Sequence, residues 1–207
     1  VAARPEPALL VPVPALIRIA DVYLDEESAM LEIVAIAAVI LVLAIAAALV
    51  VAANKPDTFR VQRALTIEAP PEKLFPLIDD FHLWGRWSPW EVKDPAMKRT
   101  FSGSPSGKGA VYAWDGNKNV GSGRMEILES ATPSTIVIKL DFFKPFEGHN
   151  TAEFTMSPQS GATMVNWVMH GPASFMSKVM QVFINLDRMI GKDFEQGLAN
   201  LKELAEK

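Results

Sequence analysis

Cysteine is absent from the 207-residue chain. That one absence excludes a disulfide scaffold, a thiolate metal site and a cysteine nucleophile. Histidine is scarce: His82, His149 and His170 are the full complement, and no His-x-x-x-His spacing suits a metal ion. A basic excess is lacking too. The net charge is −4, so the chain has no positive field for phosphate backbones, and nucleic acid is not an expected partner. No cofactor is expected. Gly103-Ser104-Pro105-Ser106-Gly107 is not a nucleophile elbow, because Pro holds the central position. Gly103–Gly109 with Lys108 misses the phosphate-loop spacing. The first 54 residues contain no Gly, Trp or Phe; all 12 Gly, 5 Trp and 11 Phe come later.

What is present divides the chain into three zones. Residues 1–29 are rich in Pro and Ala and then acidic, without a clean period. They read as a mostly disordered extension with a short helix around Ala15–Tyr23. The chain opens on Val, and Met30 is an alternative start of translation. Residues 30–54 carry the most distinctive feature. Ile33 to Ala53 is an unbroken run drawn only from Ala, Val, Ile and Leu. As a helix it is about 31 Å long, close to the hydrocarbon thickness of a bilayer. A single membrane span through residues 33–53 is the expectation. A buried core helix and a cleaved signal peptide ending at Val51-Ala52-Ala53 are the alternatives. The run is long for a signal, and no basic residue closely precedes it. Lys55, Arg60 and Arg63 follow the span, while Asp21, Asp25, Glu26, Glu27 and Glu32 precede it. The positive-inside rule then sets the rest of the chain in the cytoplasm, anchored to the cell membrane.

Residues 58–207 form the folded domain. Thr58–Ile67 alternates as a strand. Pro70-Pro71-Glu72 starts a helix whose buried face is Leu74, Phe75, Leu77 and Ile78, closed by Asp79-Asp80-Phe81. His82–Trp90 reads as a second short helix and a turn. Six strand-like pieces follow: Lys98–Ser102, Gly109–Trp114, Gly121–Glu129, Thr135–Phe142, His149–Ser157 and Thr163–His170. Short Gly-, Pro- and Asn-bearing breaks join them into an antiparallel meander. From about Ser174 to Glu206 apolar residues recur at helical spacing, as one long helix or two in series, bent near Gly191. The order is β-αα-β6-α, an α+β fold with a curved antiparallel sheet on a long terminal helix.

Particular segments match a known family. Phe59-Arg60-Val61 is followed by Ile67-Glu68-Ala69-Pro70-Pro71-Glu72-Lys73-Leu74-Phe75 at the first strand–helix junction. Phe81-His82-Leu83-Trp84, Trp87-Ser88-Pro89-Trp90 and Asp94-Pro95-Ala96-Met97 come next. Gly109–Trp114, Gly121-Ser122-Gly123-Arg124-Met125 and Gly197–Lys202 complete the set. From Phe59 onward the chain resembles the SRPBCC superfamily, the START-like or helix-grip fold. It is most similar to the bacterial polyketide cyclase/dehydrase-like branch, where an N-terminal membrane helix is common. The resemblance implies the fold. It leaves function open, because the superfamily spans lipid carriers, hormone receptors, cyclases, chaperone-ATPase activators and oxygenase subunits.

Strand alternation selects the residues facing the helix. Val165, Trp167 and Met169 point inward, as do Asn150, Ala152, Phe154 and Met156, and Ile136, Ile138, Leu140 and Phe142. Lys139, Asp141, His149, Glu153 and His170 point outward. The expected ligand wall is Trp114, Leu140, Phe142, Asn150, Phe154, Val165, Trp167, Met169 and Phe183. Such a lining suits a hydrophobic small molecule held by one or two polar contacts. The same residues also suit a plain core. Trp84, Trp87 and Trp90 suit a pocket mouth, a membrane surface or a satellite core. Three functions remain open: a membrane-anchored binder of a lipid, isoprenoid or polyketide-like compound, a cyclase or dehydratase, and a protein-interaction module. For catalysis the sequence offers only Asn150, Tyr112 and His170 as acids, bases or polar partners, and no protein partner is identifiable.

Overall fold

The computed structural model describes residues 13–207, with side chains from Ala29 onward. The chain divides into two compact units, residues 1–51 and 52–207.

In the first unit a helix, α1, runs from Val13 and ends at Ala53. The expected disordered extension is therefore helical within the described residues; residues 1–12 lie outside them. The reason is cooperativity. Once the apolar run has nucleated a helix, each added residue costs little, and residues 15–29 contain neither Gly nor Pro to stop it. Ala29–Ala53 is long and apolar enough to cross a bilayer, and none of that window is buried within the protein. A membrane span or a signal sequence fits that length and composition; a buried core helix does not.

The second unit is a seven-stranded antiparallel sheet with helices on its concave side. Its strands are β1 (Thr58–Ile67), β2 (Lys98–Gly103), β3 (Ala110–Asp115), β4 (Ser122–Ala131), β5 (Thr135–Lys144), β6 (Gly148–Gln159) and β7 (Ala162–Pro172). The sheet order is β1-β7-β6-β5-β4-β3-β2, so the meander β2–β7 closes with β1 beside β7. The helices are α2 (Pro71–Asp79), a 3₁₀ turn (Phe81–Arg86), α3 (Pro89–Lys93), α4 (Phe175–Phe183) and α5 (Leu186–Ala205).

Pro71 opens α2 with Glu72 in its first turn, and Pro71, Leu74, Phe75 and Ile78 are buried at helical spacing. The unpaired carbonyls at its far end are satisfied by indoles: Trp84 Nε1 donates to Ile78 O (2.9 Å) and Trp87 Nε1 to Leu77 O (2.8 Å). Trp84 and Trp87 therefore belong to the main core rather than to a satellite cluster or a surface. The terminal helices break at Ile184, not near Gly191. Ile184 is extended, and Asn185 caps α5 by accepting from Arg188 N (2.9 Å). Gly191 serves close approach instead. A Cβ there would lie 1.9 Å from the Arg63 guanidinium, which is held by Glu195 (2.6 Å) and Asp187 (3.1 Å). Gly197 likewise lets α5 press on Trp167.

Candidate functional site

The registers set the inward-facing side chains in rows across the concave face. One row holds Ile136, Phe154 and Trp167; the next holds Ile127, Ile138, Ala152, Met169 and Val61. A third holds Met125, Leu140 and Asn150, and an outer row holds Trp114, Gly123, Phe142 and Gly148. The predicted inward side chains Val165, Trp167, Met169, Phe154, Ile136, Ile138 and Leu140 are buried, and so are Val168 and Asp141 on the opposite face.

The rows are not equally closed. Phe194 stacks on Trp167 at 4.0 Å between ring centroids, and Phe154 stacks on the other side at 4.7 Å. Trp84 and Trp87 meet Phe154 edge-on, and Trp90 meets Trp167 the same way. This aromatic plug fills the half of the concave face under the C-terminal part of α5, whose Phe194, Leu198, Leu201 and Ala205 are buried. Ile136, Ile138, Phe154 and Val165 are 0% exposed, whereas Trp114, Met125 and Leu140 are each 8% exposed and Met169 6%. The inward side chains are thus buried throughout, and closure loosens only at the outer rows, where Phe142 and Asn150 are half-buried.

Of the expected wall, Trp114, Leu140, Phe142, Asn150 and Met169 come together at the open end. Phe154, Val165 and Trp167 lie in the plugged half as core. Phe183 is the exception. It is 75% exposed on α4 and lines no interior wall. The reason is that α4 is a separate helix, so the period carried back from α5 did not fix its facing.

Polar groups on the concave side are few. Trp167 Nε1 is buried without a hydrogen-bond partner, a cost of about 1–3 kcal/mol for an orphaned donor. Tyr112 Oη donates to Glu91 Oε1 (2.7 Å), and Arg99 Nε donates to Glu91 Oε2 (2.6 Å). Burial first, and then the Glu91 carboxylate, push the Tyr112 phenol well above its ordinary pKa. Tyr112 thus keeps its proton and spends it on Glu91. The clamp ties α3 to β2 and β3. The sequence reading missed Glu91 and Arg99, since nothing in their spacing marks a contact made across the fold.

The histidines lie elsewhere. His170 meets Glu153 (3.2 Å) and His149 meets Asp141 (2.8 Å), both pairs on the convex face as expected. Asp141 departs from expectation in being buried there. Burial raises its pKa, but hydrogen bonds from His149 and Lys139 outweigh that and hold it below the usual carboxylate range. His82 Nδ1 meets Asp80 (2.8 Å), and the ring stacks on Phe101 at 4.3 Å. It borders an open groove of about 280 Å³ with Phe81, Ser102, Ser104, Pro105 and Ala110, away from every predicted wall residue. Among the described residues no cluster of three or more His, Asp or Glu is arranged for a metal ion.

Residues 58–206 match the family described as polyketide cyclase / dehydrase and lipid transport. No curated protein matches the chain. Solved structures share the fold at low identity. Protein CV1439 from Chromobacterium violaceum is 17% identical, covering 74% of this chain and 99% of its own, with a TM-score of 0.52. The Aha1 dimer from Colwellia psychrerythraea is 13% identical over 72% and 96%, at 0.52. The di-domain ARO/CYC protein BexL from the BE-7585A biosynthetic pathway is 15% identical over 76% of this chain, at 0.56. This chain spans 53% of that protein's length. At such identities the likeness carries the fold alone.

Proposed function

The chain belongs to the polyketide cyclase/dehydrase and lipid transport family, and from that premise we propose that it is a membrane-anchored binder of a hydrophobic small molecule, housed at the open end of the concave face. One observation carries the reading. Inward-facing Phe142 and Asn150 are only half-buried and Trp114, Met125 and Leu140 keep 8% of their surface exposed, while Ile136, Phe154 and Val165 in the other half of the same face are 0% exposed. Apolar surface left wet inside a concave wall is what an apolar ligand would cover, at roughly 25 cal/mol per Å² before ordering costs. The Asn150 amide, half-buried beside Leu140, supplies an orienting polar contact. Ile33–Ala53 is the anchor, and Lys55, Arg60 and Arg63 after it favour a cytoplasmic domain. Lipids, isoprenoids and polyketide-like compounds fit the lining.

A cyclase or dehydratase needs a free acid or base on the concave wall. Tyr112 is engaged by Glu91, and His170 is on the convex face, so binding is the better-supported reading. The test is native mass spectrometry of detergent-extracted protein. Wild type carries a small-molecule adduct, and Asn150→Phe, which fills the open end, loses it while keeping its circular dichroism. An adduct that survives in a folded Asn150→Phe protein, or a wild type that carries none, contradicts the proposal.

A further inference from the structure

α4 is turned inside out. In a water-facing helix the apolar side packs on the core and the charged side is exposed. Here the charged residue is the buried one: Lys178 is 7% exposed and paired with Asp57. The opposite side presents Met176, Met180 and Phe183 to the exterior, with exposed Phe175 at the helix start, followed by Ile184 and by Met189 in α5. This helix is also fixed where the chain leaves α1. Ala173 N donates to Asp57 O (2.7 Å), and Asp57 lies four residues after Ala53. Four residues span at most about 14 Å. Strand direction puts further features at this end of the sheet. β1 begins and β7 ends here, as do the β5–β6 connection bearing exposed Phe146 and the open rows holding Trp114, Phe142 and Asn150.

We propose that the outward apolar face of α4 lies in the surface of the lipid bilayer, with Phe146 beside it, so that the open end of the concave face meets the membrane. The inference rests on the anchor reading above. Three features favour lipid as the occupant. The first is the short tether from a bilayer-length apolar helix. The second is a continuous apolar arc built from Phe and Met. The third is exposed Arg188 and Lys192 in the first turns of α5, directly after α4, suited to anionic headgroups. A ligand dissolved in the bilayer then enters the binding end without crossing water.

The absence of cysteine makes the test direct. Single cysteines replace Met176, Phe183, Ala44 in the apolar run, and Ser160 at the distal end of the sheet, in the full-length chain. Each carries an environment-sensitive fluorophore. The proteins are reconstituted in phosphatidylcholine–phosphatidylglycerol vesicles with nitroxide-labelled acyl chains. The proposal expects blue-shifted, quenched emission at 176, 183 and 44, and water-like, unquenched emission at 160. Emission at 176 and 183 matching 160, with 44 quenched, overturns docking of α4 and leaves the anchor standing. A blue shift at 176 and 183 without quenching means that protein, such as a second copy, covers the face, and also overturns it. An unquenched probe at 44 overturns the anchor and the docking together.

Discussion

The concave face has two halves with the same alternation and the same kind of residues, yet they differ in closure. Under Phe194, Leu198 and Leu201 the rings interlock: Trp167 lies between Phe194 and Phe154, and Trp87 meets both Phe154 and Trp167. Toward Trp114, Leu140 and Asn150 the first turns of α5 leave Met189 exposed, and α4 turns its apolar side away. An apolar inward pattern is therefore necessary for a cavity but does not decide one. What decides is whether the opposing helix supplies side chains large enough to meet it.

Substitutions sharpen that contrast. The largest effect is expected at Phe154→Ala, about 3–5 kcal/mol of stability, because the ring is fully buried and its partners cannot collapse into the space. Leu140→Ala in the open half should sit at the low end of the about 2–5 kcal/mol range for such changes, since part of its surface is already wet. Denaturant titrations of both variants measure the difference; equal losses would erase the two-halves distinction. Gly197→Ala follows. A Cβ there would be 2.8 Å from the Trp167 ring, so overpacking of about 1–3 kcal/mol should outweigh the roughly 1 kcal/mol gain in helix propensity. A thermal melt above that of wild type would show that the plug is looser than described.

Phe183→Ser should change stability by no more than about 0.5 kcal/mol, because the side chain packs on nothing it would leave empty. The same substitution should reduce vesicle-dependent fluorescence changes, checked by lipid titration. The smallest effect is on the convex face, behind the site. The hydrogen bond to Asp141 raises the His149 pKa above its ordinary 6.5. The folded chain thus holds that proton more tightly than the unfolded one. The contribution is complete below about 6.5 and is lost as pH rises through the raised folded value. His149→Asn should melt below wild type in mild acid and with it in alkali; a gap that widens with pH reverses the sign and removes the interaction.

Much of the fold was legible from residue order. Gly and Pro punctuation marked six strands to within a few residues, and period-2 alternation oriented their side chains, because both are local properties of the chain. The position of the break between α4 and α5 was not: the bend was expected at Gly191, whose role is to admit Arg63, and lies at Ile184 with Asn185 as the cap of α5. The filling of the cavity was not legible. It depends on Trp87 before α3, Trp90 in α3 and Phe194 in α5 meeting Phe154 and Trp167, contacts that no period encodes. The facing of α4 was equally hidden, since its apolar arc reads alike whether it meets core or lipid. Of the nine expected wall residues, those near the turns after β3 and β5 are the ones the helices leave reachable.

The methionines offer the most direct test, because they sample both halves. With methyl-labelled methionine and a nitroxide-bearing fatty acid, NMR reads which side chains an apolar ligand approaches. The account predicts broadening of the Met125 and Met169 methyl signals, at the wet end, with Met156 beside Val165 left sharp. Broadening of Met156 to the same degree, or of none of the three, would contradict a binding site confined to the open half of the concave face.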